Sequence, residues 1–60
     1  MLVATIWSSR GRNKAVLVFE DNEVVNAKRP QYSLSENEES FRKLLDKLES
    51  YGFKVKIQTF

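Results

Sequence analysis

The chain has no cysteine and no histidine, and only two glycines and one proline among its 60 residues. Without cysteine there are no disulfides, and without either residue the usual zinc ligand sets are missing. The commonest acid–base group and the thiol nucleophile of enzymes are also missing. Two isolated glycines do not make a glycine-rich phosphate loop. We therefore expect a non-enzymatic protein that carries no metal and no cofactor.

Length limits the chain to one domain with a small core. A domain of this size buries only ~60% of the surface that its unfolded chain exposes. Small domains usually compensate with disulfides, a metal or association, and the composition leaves association. The apolar stretch 1–7 is too short to span a bilayer and lacks the flanking signals of a secretory leader. We expect a cytoplasmic protein with no membrane contact.

Runs rich in valine, isoleucine, leucine and aromatic residues predict strands over 2–7, 14–20 and 23–28. Asp21 and Asn22 tolerate the left-handed backbone of a two-residue hairpin turn between the second and third strands. Arg29 and Pro30 predict that the third strand stops or becomes an unpaired edge, because proline has no N–H to donate. The first three strands should form an antiparallel meander.

A helix is predicted over 36–50, where apolar residues recur at helical spacing. Ser35 and Glu38 have the spacing of a capping box, and Gly52 suits a left-handed C-cap. The side chain of Leu34 should pack against that of Phe41. The predicted apolar stripe consists of Phe41, Leu44, Leu45, Leu48 and Tyr51.

Residues 53–59 alternate between apolar and polar and predict a final strand. The expected fold is α+β in the order βββαβ, with the helix packed on one face of the sheet. A right-handed crossover would make the last strand parallel to the third and place it beside the first, in the order 3-2-1-4.

The first two strands are apolar on both faces, whereas a helix of fifteen residues is only ~22 Å long and covers one face. Exposed apolar patches of this kind usually mark an interface. We expect a homodimer formed through this face or through a strand edge. Binding of a different protein is the second expectation. The alternative is that these are tolerated surface residues. The candidate interface residues are Val3, Trp7, Val16, Val18 and Phe60.

Positive charge should collect at one end of this sheet, because the connections after the first and third strands emerge together. Basic side chains beside aromatic ones suit nucleic acid. The candidate nucleic-acid-binding residues are Arg10, Arg12, Lys14, Lys28, Arg29 and Tyr32. The alternative is that Glu36, Glu38 and Glu39, at the start of the helix, lie at the same end and neutralise the bases.

Two functions therefore remain open. The first is a small regulatory protein that binds another protein, similar in size to modulators encoded by phages and mobile elements. The second is a nucleic-acid-binding protein. In topology alone, three strands followed by a helix resemble small DNA-binding domains that lay a sheet in the major groove. The valines expected on the open face of the sheet argue against that use.

Overall fold

In the computed structural model, which describes residues 1–60, a 5-stranded antiparallel sheet carries a single helix on one face. The elements are β1 (Leu2–Trp7), β2 (Lys14–Glu20), β3 (Glu23–Asn26), β4 (Arg29–Ser35), α1 (Glu38–Ser50) and β5 (Lys54–Thr59). The strands are arranged in the order β4-β3-β2-β1-β5. The expected α+β class is confirmed.

The strand β4 was not expected, and it makes the predicted βββαβ order wrong. The predicted third strand 23–28 ends at Asn26, and after the turn at 27–28 the chain returns antiparallel to β3, with Leu34 opposite Val24. Pro30 is tolerated because β4 is an edge strand, where a missing donor breaks no ladder. Since β4 reverses the chain once more, β5 lies beside β1, as expected, but runs antiparallel to it.

Both predicted positions of left-handed backbone are confirmed. Asp21 and Asn22 have φ of 53° and 60°, which gives the two-residue hairpin turn between β2 and β3. Gly52 has φ of 98° and ends α1. Its N–H donates to the Glu49 carbonyl at 3.0 Å and that of Phe53 to the Leu48 carbonyl at 3.2 Å, the two bonds of a Schellman cap.

The start of the helix differs from the prediction. Ser35 is the last residue of β4, and the N-cap is Asn37, whose side-chain oxygen accepts a hydrogen bond from the Ser40 N–H at 2.7 Å. The capping box of Ser35 and Glu38 is therefore wrong, and the helix spans 13 residues rather than 36–50. This helix has neither the length nor the apolar character needed to cross a bilayer.

The core lies between α1 and one face of the sheet. It comprises Leu2, Ala4, Ile6, Phe19, Val24, Phe41 and Leu45, all of them apolar. The rings of Phe19 and Phe41 stack with centroids 5.3 Å apart, and the partly buried Leu17, Leu48 and Val55 pack around the cluster. The predicted helix stripe is too wide, because Leu44 and Tyr51 are 39% and 66% exposed.

Candidate interaction surfaces

The face of the sheet opposite α1, here called the reverse face, carries a continuous apolar patch. Alternation along each strand sends every second side chain away from the helix. Val3, Val18 and Val25 are successive cross-strand neighbours, and Thr5 and Val16 form the adjacent row. The patch consists of Val3, Thr5, Trp7, Val16, Val18 and Val25, all half-buried. No other element of the chain covers them.

Four of the predicted interface residues thus come together in the patch, and alternation along β5 places Phe60 on the same face, at its corner. Its backbone N–H donates to the Met1 carbonyl at 2.9 Å, which extends the β1–β5 ladder by one pair. The side chain of Phe60 is 72% exposed at this corner of the sheet. Val25 belongs to the patch but was missed, because its strand is short and carries glutamate and asparagine at its ends.

The reverse face has opposite charges at its two ends. Lys14 and Lys54 are the register partners of Trp7 on β2 and β5, and Lys56 borders the patch on its β5 side. At the other end, Glu20 lies directly opposite Glu23. All five charged side chains are exposed. The apolar patch is therefore bordered by lysines at one end and by glutamates at the other.

The basic end of the sheet is built from two ordered connections. In the β1–β2 connection the Ser8 hydroxyl oxygen accepts from the N–H groups of Arg12 and Asn13 at 3.2 and 3.3 Å. Gly11, with φ of 72°, donates its N–H to the Ser8 carbonyl at 2.8 Å. This fold of the backbone holds Arg10 and Arg12 at an exposed tip.

The turn between β3 and β4 lies at the same end. The Asn26 side-chain oxygen accepts from the Lys28 N–H at 2.9 Å, and the Ala27 N–H donates to the Val16 carbonyl at 2.9 Å. Lys28 and Arg29 therefore join the 8–14 connection, as the sequence predicted. Tyr32 does not, because it lies midway along β4 on the helix side of the sheet.

The predicted neutralisation of the basic end by the start of the helix is wrong. Because β4 carries the chain back along the sheet, α1 begins at the opposite end, where the Glu36 N–H donates to the Asn22 carbonyl at 2.9 Å. The two ion pairs of the chain both lie within the helix: Arg42 to Glu38 at 3.6 Å and Lys43 to Glu39 at 3.3 Å. The bases of the basic end therefore have no acidic partner.

A second apolar surface opens on the helix side, between α1 and β4. It is a groove of about 500 Å³, lined mainly by Leu17, Val24, Tyr32, Leu34 and Leu44. The groove exists because α1 lies towards β5 and leaves the β3–β4 side of the sheet uncovered. The alternation of Tyr32 and Leu34 with Gln31, Ser33 and Ser35 is a sequence signal of β4, but Pro30 argues against a strand and outweighs it.

Comparison of the chain with protein-family models, with characterised proteins and with solved structures gives no significant match. No likeness to another protein therefore bears on its function.

Proposed function

We propose that this protein is a small, non-enzymatic interaction protein that binds a protein subunit through the reverse face. The observation that carries the proposal is the bare apolar patch on a sheet whose own core holds only 7 buried residues out of 60. Contiguous exposed apolar surface of this kind is typical of protein–protein interfaces. A regulatory protein of this type acts by occupying its partner rather than by transforming a substrate.

The arrangement of the patch distinguishes it from ordinary surface residues. Isolated exposed apolar side chains are common on folded proteins. Here the valines are direct neighbours across β1, β2 and β3, so they form one surface rather than scattered positions. Trp7 extends this surface towards the basic end, and tryptophan is among the residues that dominate binding energy at interfaces.

Replacement of Val18 tests this proposal, because Val18 lies at the centre of the patch. We expect Val18→Asp to abolish capture of protein partners by the tagged chain, with untagged copies of the chain counted among them. A charge placed in a dry interface loses its hydration without gaining a partner. The readout is affinity capture with mass spectrometry, and circular dichroism checks that the variant is folded.

Leu34→Asp is the matched control, because it adds the same charge to an apolar residue in the groove on the helix side. Val16→Lys is a second patch variant, in case aspartate at position 18 destabilises β2. The aliphatic part of the lysine side chain keeps contact with the neighbouring strands while its charge reaches the interface. Capture that survives both patch variants, or that is lost only with Leu34→Asp, would show that the reverse face is not the contact surface.

We further propose nucleic-acid binding by the basic end as a second candidate function. One observation favours it: Arg10, Arg12, Lys14, Lys28 and Arg29 share one end of the sheet, and neither ion pair of the chain involves them. Unpaired arginines on an ordered turn are suited to phosphate oxygens. A fourth strand and an apolar open face remove the resemblance to domains that lay a three-stranded sheet in the groove.

A further inference from the structure

The reverse face carries two sets of like charges that have no oppositely charged partner within the single chain. Glu20 and Glu23 are direct cross-strand partners, an arrangement that destabilises a ladder. Lys14 and Lys54 flank Trp7 in the row at the other end. No ion pair relieves either set. The two sets lie about 20 Å apart, the length of a strand of six residues.

Symmetry decides how a second copy could satisfy these charges. Two identical sheets that pack face to face are related by a two-fold axis lying in the interface plane. An axis along the strands would place lysines over lysines and glutamates over glutamates. An axis across the strands reverses one copy end to end, so that the lysine row of each copy lies at the level of the glutamate pair of the other. Lys14 on β2 then faces that pair, and Lys54 stands two strands away on β5.

We infer that the partner seated on the reverse face is a second copy of this chain, packed antiparallel about a two-fold axis that crosses the strands. This inference rests on the proposed function, since it names the occupant of the same surface. In this arrangement Lys14 of each copy reaches the level of Glu20 and Glu23 of the other. The row of Val3, Val18 and Val25 packs over the row of Thr5 and Val16.

The strand edges are less suited to self-association than this face. The edge strand β4 contains Pro30, which cannot donate to an added strand, and the edge strand β5 carries Lys54 and Lys56. Proline and lysine are the residues that usually protect edges from pairing with another chain. An edge-joined dimer would also leave the apolar patch exposed to water.

The size of the face sets the expected strength of the dimer. A face roughly 20 Å by 20 Å offers about 400 Å² per copy, or about 800 Å² in total, which is below the roughly 1,200 Å² of stable specific interfaces and in the range of weak, transient ones. We therefore expect a dimer that dissociates in the micromolar range and weakens as salt screens its charged ends. The aligned packing of two twisted sheets, at about 30°, keeps opposite ends of the two copies together.

Two complementary variants test the arrangement. Lys14→Glu with Lys54→Glu makes both ends of the reverse face acidic, and Glu20→Lys with Glu23→Lys makes both ends basic. Sedimentation velocity at low salt should show at least about tenfold weaker self-association for each variant alone than for the unmodified chain. An equimolar mixture of the two should recover a dimer that contains one copy of each.

The control for net charge is Asp46→Lys with Glu49→Lys, two exposed positions of α1, which should dimerise like the unmodified chain. An unmodified chain that stays monomeric at high micromolar concentration would overturn the inference. So would variants that dimerise normally, or a mixture that fails to recover. The proposed function fails separately, when the Val18→Asp variant captures the same proteins as the unmodified chain.

Discussion

Leu44 and Leu45 are neighbours in the helix but lie in different surroundings. Leu45 is 1% exposed beneath the helix, whereas Leu44 is 39% exposed and lines the groove beside β4. Helical spacing alone assigned both residues to one apolar stripe, because it contains no information on how far the sheet extends under each side of the helix. The position of α1 towards β5 decides which of the two is core.

This difference predicts unequal costs of truncation. Leu45→Ala should lower the free energy of unfolding by about 2 to 5 kcal/mol, because it leaves a cavity beside Phe41. Leu44→Ala should cost less than about 2 kcal/mol, because much of the Leu44 side chain is already in water. Urea denaturation followed by circular dichroism measures both values. Equal losses for the two variants would place Leu44 in the core and remove the groove.

The start of α1 predicts a second contrast, at the scale of the element. Asn37→Ala should destabilise the protein by about 1 kcal/mol, because the Ser40 N–H loses its side-chain acceptor. Ser35→Ala should change stability little, since Ser35 is exposed at the end of β4 and caps nothing. Thermal melting of the two variants, side by side, measures the contrast. A larger loss for Ser35→Ala would restore the capping box of Ser35 and Glu38.

The elements that sequence predicted well are those governed by local chemistry. The composition of β1 and β2, the left-handed turn at Asp21 and Asn22, and Gly52 at the helix end are each decided within a few residues. The strand β4 was not predictable in the same way, because Pro30 argues against a strand and both its faces are exposed. Its pairing with β3 is a tertiary outcome.

The choice between Ser35 and Asn37 as helix cap followed from that missing strand. Both residue types are good N-caps, and only the extent of β4 excludes Ser35. The missing strand also decided which of the two apolar surfaces could be predicted. The patch of Val3, Val16 and Val18 could be read from alternation, whereas the groove beside Leu34 required knowledge of β4.

At the scale of the whole molecule, β4 separates the charges. With three strands before the helix, Glu36, Glu38 and Glu39 would have joined the bases at one end. The added strand instead sends them to the end that already holds Glu20, Asp21 and Glu23. Glu38 and Glu39 are paired there with Arg42 and Lys43, so the unpaired acidic charge of this end comes from Glu20, Asp21, Glu23 and Glu36. The proposed antiparallel packing of two copies depends on the separation of this charge from the basic end.

The same separation leaves the basic end free to attract a polyanion, and a salt titration measures that attraction. If Arg10 and Arg12 contact phosphates, the affinity for a DNA or RNA duplex should fall steeply with salt, because bound protein displaces counterions. Arg10→Ala with Arg12→Ala should reduce the slope of log K against log salt by about 2. The control Arg42→Ala with Lys43→Ala removes the same charge from the helix and should leave the slope unchanged. Equal slopes for the two double variants would show that the duplex senses only net charge, and the absence of binding at low salt would exclude this second function.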